Sequence, residues 1–208
     1  MTIIKDRHNE WSHKGHTYGE CMSRPGLDLM YVYIPKNASS WTKPNLLDHG
    51  WQFYNYHADT LHKPALVVLR DPVDRWLSGI AEYFTLYHPE FLFNDAETVE
   101  LIFDRVTFDD HTEQQIKFLT GLDTDRCTFM MCDDNYKQNF STFIVDYVGD
   151  NKYNQYERQH VSEYNPERKE FKKIFSHYLE NPKYLHRIKK HFAADYRLIE
   201  QVKFYGTR

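Results

Sequence analysis

Apolar residues in this chain follow two rhythms. Short unbroken runs at 29–35 (LMYVYIP), 51–54 (WQFY), 65–70 (ALVVLR) and 127–132 (CTFMMC) are rich in β-branched and aromatic residues and predict buried strands. Elsewhere apolar residues recur every three or four positions, the spacing of a helix with one buried face. The clearest start follows ALVVLR: Asp71 stands at the N-cap, Pro72 at the first helical position and Asp74 at the third. Val73, Trp76, Leu77, Ile80 and Phe84 then line one face. Helical patterns also cover 95–106, 112–120 (closed by Gly121), 136–148 and 167–179, with one or two more over 182–203. Ser39 or Ser40 is placed to cap a helix running to about Asp48, with Pro44 near its first turn. Residues 1–27 show no periodicity and read as an irregular N-terminal arm.

Strands alternating with helices predict an α/β fold, a central mainly parallel sheet flanked by helices on both faces. Ligands in such folds bind beyond the carboxyl ends of strands. Lys36 and Arg70 both fall there. No repeat, low-complexity tract or linker interrupts the 208 residues, so residues 1–208 read as a single domain.

Composition narrows the function classes. A formal charge of −4 argues against a general nucleic-acid binder. The three cysteines, Cys21, Cys127 and Cys132, form neither a short-spaced pair nor a disulfide framework. His8, His13, His16 and Cys21 match no standard zinc spacing, and no metal is expected. The first residues lack an apolar signal core, and no stretch approaches the length of a membrane span, so a cytoplasmic protein is expected.

Two segments carry anion-binding chemistry. In Pro35-Lys36-Asn37-Ala38-Ser39-Ser40-Trp41 a strand empties into small residues that open a helix. Small side chains let backbone N–H groups approach an anion, and the helix adds its positive end. The glycine-lysine pattern of a P-loop is absent. The plainer alternative is a serine-capped helix beside an exposed lysine. In the second segment, 69–78, Arg70 leaves the ALVVLR strand and could fork onto a phosphate, with Ser78 two turns into the helix. There the plainer alternative pairs Arg70 or Arg75 with Asp71 or Asp74.

Together the two segments resemble the sulfotransferases. IPKNASSW is similar to the 5′-phosphosulfate loop of that family. VVLRDPVDRWLSGIAEYF is similar to its 3′-phosphate strand and helix, in the R-D-P-x-x-R-x-x-S form of carbohydrate sulfotransferases. The resemblance is strong over 29–85 and weak over 150–204. It implies a P-loop-NTPase-like three-layer sandwich and 3′-phosphoadenosine-5′-phosphosulfate (PAPS) as donor, with no metal. Lys36, Asn37, Ala38, Ser39, Ser40 and Trp41 would surround the 5′-phosphosulfate, and Arg70 and Ser78 would hold the 3′-phosphate.

In-line sulfuryl transfer needs a base for the acceptor hydroxyl and a cation at the leaving phosphate; Lys36 fits the second role. For the base, FYNYHADT resembles the uronyl 2-O-sulfotransferase stretch whose F-Y-x-x-H histidine performs it, which points to His57. His111 in DDHTEQQ is the rival, as base or acceptor contact, with Gln114 and Gln115 able to hydrogen-bond a sugar. The expected acceptor is a hydroxyl-bearing carbohydrate or small molecule. A kinase with a degenerate P-loop and a non-catalytic module for sulfated or phosphorylated ligands are the alternatives. Lesser candidates are the basic cluster Arg187, Lys189, Lys190 and His191, and the polar stretch 159–169.

Overall fold

The computed structural model describes residues 20–55, 63–91, 95–149 and 165–206. In chain order the elements are β1 (Glu20–Ser23), β2 (Met30–Tyr33), α1 (Ser39–Asp48), β3 (Gln52–Asn55), β4 (Ala65–Leu69), α2 (Pro72–Tyr87), α3 (Ala96–Arg105), β5 (Cys127–Met131), α4 (Tyr136–Val148), α5 (Pro166–Leu179), α6 (Pro182–His191) and α7 (Ala193–Gln201). The chain groups into two compact units. One contains the sheet, α1 and α4; the other contains α2, α3, α5 and α6.

The sheet unit has strand order β3-β1-β2-β4-β5. β2 with β4 and β4 with β5 are parallel, whereas β1 pairs antiparallel with both β2 and β3. The expected mainly parallel sheet is therefore corrected to a mixed one. The correction arises in residues 20–23, which the sequence placed in an irregular arm. Only Cys21 and Met22 of β1 are apolar, too few for a recognisable run; its partners on both sides make it a strand. β4 is buried along its whole length, as its unbroken apolar run requires. Tyr31, Leu46, Trp51, Leu66, Met130, Phe140 and Ile144 fill one core in this unit.

The helical unit is organised around α2. Asp71 caps it, its carboxylate accepting from Val73 and Asp74 N–H at 2.9 and 3.0 Å. Trp76, Ile80 and Phe84 are fully buried, each contributing roughly 1.5–3 kcal/mol by removal of apolar surface from water. Trp76 Nε1 donates to Val106 O at 2.9 Å, which satisfies the one polar atom of that ring. Phe103 stacks on Tyr184 at 4.3 Å between centroids, and Phe175 packs against Trp76 and Phe84. Gly79 lies so close to the main chain that a Cβ there would stand 2.1 Å from His111 O, so no larger residue fits without moving that loop.

The helix expected over 112–120 is only a 3₁₀ turn, Gln115–Leu119. Side chains before it close local turns. Thr112 Oγ1 accepts from Phe108 and Asp109 N–H, and the Glu113 carboxylate accepts from Gln114 N–H. Such local bonds favour turns over a helical start in this segment. Among the described residues no helix is long and apolar enough to cross a membrane.

Candidate functional site

The loop after β2 obtains without glycine a conformation that usually calls for it. Lys36 and Ala38 have φ of 70° and 55°, in the left-handed region, and Asn37 between them does not. Pro35 is held at negative φ by its ring. The sign of φ thus alternates from 35 to 38, the pattern that turns successive N–H groups toward one side and forms an anion-binding concavity. Each left-handed L-residue costs roughly 1–2 kcal/mol, because its Cβ crowds the following carbonyl oxygen.

The helix that follows has an open positive end. Its N-cap is Ala38, not either serine, and no side chain caps it; no acidic residue stands in its first turn. By contrast α2, α3, α5 and α6 are capped by Asp71, Asp95, Asn165 and Asn181. α4 also lacks a side-chain cap. Trp41 and Thr42 N–H both turn back to Ala38 O, leaving the Ala38, Ser39 and Ser40 N–H groups without an acceptor among the described residues. Ser40 is exposed and Ser39 half-buried, so their hydroxyls flank these donors. The Trp41 ring does not join them. It is buried edge-on to Tyr136 and Phe140, with centroids at 5.9 and 5.5 Å.

Arg70 arrives at the same sheet edge because β2 and β4 are parallel neighbours whose carboxyl ends point the same way. Its Nη1 donates to Lys36 O at 3.1 Å, and the side chain is only half-buried. Asn37, expected to contact a phosphosulfate, is wholly buried, and its amide nitrogen donates to Val68 O and Gln115 Oε1, each at 2.7 Å. The structure therefore brings Lys36, Asn37, Ala38, Ser39, Ser40 and Arg70 together, with Asn37 turned into the scaffold. Ser78 stands half-buried on α2, in the helical unit. His57, two positions beyond β3, lies outside the described residues, as do residues 159–164 of the polar stretch.

His111 and its surroundings form a second polar cluster, within the helical unit. Its Nδ1 lies 2.9 Å from Asp109 Oδ2 and 3.1 Å from Asp110 Oδ1, and its Nε2 lies 3.8 Å from Glu82 Oε1. Arg168 reaches the other Glu82 oxygen at 3.4 Å. Burial disfavours the charged imidazole, but hydrogen bonds to Asp109 and Asp110, and their charges, push its pKa up to about 9. A raised pKa favours the protonated ring, which has no lone pair to accept a proton, and this disfavours it as a general base. Gln114 Nε2 donates to His191 O at 2.8 Å, so this amide too serves the fold.

Arg75 departs furthest from the plainer reading of the motif. It is fully buried and donates to Glu113 O and to Asp110 O, the latter at 3.0 Å. Burial lowers its pKa to about 10 against the pull of Asp195, Asp110, Asp109 and Glu113. Its guanidinium braces the 109–113 loop.

Asp109, Asp110 and His111 present ligand atoms within 4.8 Å of one another, a spacing that could hold a cation. Their mutual hydrogen bonds account for this closeness. No protein-family model, curated protein or solved structure matches the chain.

Proposed function

We propose that the protein is a PAPS-dependent sulfotransferase acting on a hydroxyl of a carbohydrate or other hydroxylated acceptor, within a P-loop-like sandwich. The observation that carries this reading is the junction of two anion-binding elements: an uncapped, glycine-free amide loop, and an arginine whose guanidinium lies against the Lys36 carbonyl at 3.1 Å. A donor with phosphate groups at both ends of a ribose needs two such elements side by side. ATP, with a single phosphate chain, does not.

In this account the Ala38, Ser39 and Ser40 N–H groups and the two serine hydroxyls hold the 5′-phosphosulfate. Lys36 meets the charge that builds on the bridging oxygen as the S–O bond to the phosphate breaks, a role worth roughly 3–4 kcal/mol in comparable sites. Arg70 grips the 3′-phosphate through N–H groups other than the one given to Lys36 O. The acceptor oxygen attacks sulfur opposite the leaving phosphate. Its proton passes to a base, and adenosine 3′,5′-bisphosphate departs. His57 as base and Ser78 as a further 3′-phosphate contact enter on the sequence resemblance alone. The raised pKa of His111 favours His57 over it as the base.

The test is transfer from isotopically labelled PAPS to a panel of glycans and small hydroxylated acceptors. His57→Ala should abolish transfer while leaving affinity for adenosine 3′,5′-bisphosphate within about twofold. Bisphosphate binding with no transfer to any acceptor, and no effect of His57→Ala, would support a non-catalytic module instead.

A further inference from the structure

The carboxyl end of β4 is finished by side-chain amides where main chain would be expected. The β2–β4 ladder ends at Val32 opposite Val67, after which β2 turns away into the loop. On the other side Leu69 O accepts from Cys132 N–H at 2.7 Å, so Leu69 faces β5 and its neighbours Val68 and Arg70 face the side that β2 has left. Asn37 Nδ2 takes Val68 O at 2.7 Å. Gln115 takes both main-chain groups of Arg70: Oε1 accepts from Arg70 N–H at 3.0 Å and Nε2 donates to Arg70 O at 2.9 Å. Gln115 Oε1 also accepts from Asn37 Nδ2 at 2.7 Å.

The amide orientations follow from chemistry. Val68 O and Arg70 O can only accept, so each must face an NH₂ group, and Gln115 Oε1 is then the acceptor for both remaining donors. With Arg70 Nη1 on Lys36 O, the bonds close a ring: Lys36 to Asn37 through the peptide, Asn37 to Gln115, Gln115 to Arg70, and Arg70 back to Lys36. Asn37 and Gln115 are both wholly buried, so water does not compete for these bonds.

We infer that Gln115 is a positioning residue that fixes the spacing between the amide loop and Arg70, and so sets the distance between the two phosphate groups that the site accepts. This rests on the donor reading above. Gln115 touches neither phosphate in this account, since both of its amide groups are already committed. It acts by holding Asn37, and with it the loop, in register with the Arg70 main chain.

The experiment uses three probes by calorimetry: 5′-AMP, which engages the loop; 3′-AMP, which engages Arg70; and adenosine 3′,5′-bisphosphate, which must engage both. The advantage of a two-point ligand depends on how well its span matches that of the sites. Gln115→Met keeps the volume and removes the amide. It should weaken the bisphosphate about tenfold or more while changing each monophosphate by less than about threefold. Asn37→Ala, which removes the Asn37–Gln115 bond of the same ring from its other side, should give the same pattern, and the double variant should be no worse than the worse single one because both break one unit. Parallel weakening of all three probes in both variants would show a merely structural role and overturn the inference. So would a wild-type preference for the bisphosphate that survives in Gln115→Met. If the wild-type protein binds none of the three, or binds the bisphosphate no better than the monophosphates, the donor reading fails, and the positioning role fails with it.

Discussion

Arg70 and Arg75 stand five residues apart in one motif, and the fold uses them in opposite ways. Arg70 is half-buried at a strand end, with one guanidinium nitrogen on the Lys36 carbonyl. Arg75 is sealed inside the helical unit, where it braces a loop through Glu113 O and Asp110 O beside the buried Asp195. The same contrast separates the two polar clusters. The loop after β2 keeps backbone N–H groups without acceptors among the described residues, whereas His111, Gln114 and Arg75 are committed to carboxylates and carbonyls. A polar residue type at a suggestive spacing does not distinguish these cases. What distinguishes them is whether its donors are already satisfied by the fold, because only an unsatisfied donor gains by meeting a ligand.

The contrast can be broken most forcefully at Arg75. Arg75→Met leaves buried carbonyls and Asp195 without their cation and should cost about 3–5 kcal/mol in urea unfolding. Arg75→Lys should not restore it, because an ammonium lacks the fork that spans two carbonyls. Arg70→Met is next: affinity for adenosine 3′,5′-bisphosphate should fall about 10–100-fold, the worth of a charged hydrogen-bonding group, with stability changed by less than about 1 kcal/mol. If the two arginines exchange these outcomes, the comparison is wrong.

A smaller effect is expected at His111. Its folded pKa of about 9 lies above the ordinary 6.5. The stabilisation is therefore fully present below about pH 6.5 and is lost as pH rises through about 9. The ring retains some exposure, so the loss should be about 1–2 kcal/mol, read as a fall in Tm over that window. His111→Gln should flatten this slope and leave bisphosphate affinity unchanged; loss of sulfuryl transfer in that variant would return His111 to the role of base. The smallest effect is expected at Ala38. Ala38→Gly relieves left-handed strain but adds unfolded-state freedom, for a net gain of at most about 1 kcal/mol, whereas Ala38→Val should lower Tm.

Much of the framework was legible in the sequence because local signals and burial agreed. β4 and the bounds of α4 match their apolar patterns, and α2 starts at its Asp71-Pro72 cap. β1 was not legible, since four residues with two apolar positions become a strand only through partners on both sides. The 3₁₀ turn at Gln115–Leu119 was read as longer because Thr112 and Glu113 make local turn bonds that a pattern of apolar positions does not record. At the site, the strand ends holding Lys36 and Arg70 could be read directly. The ring through Asn37 and Gln115 could not, because its bonds join residues 78 and 45 positions apart. Nor could the sequence show that Trp41 turns into the core while the serines beside it stay near the surface.

The most direct measurement is calorimetric titration of the wild-type protein with adenosine 3′,5′-bisphosphate, 5′-AMP and ATP, with and without Mg²⁺. The account predicts that the bisphosphate binds without metal, about tenfold or more tighter than 5′-AMP, because Arg70 adds a charged contact that 5′-AMP does not reach. Binding of Mg²⁺–ATP with no preference for the bisphosphate over 5′-AMP would contradict it.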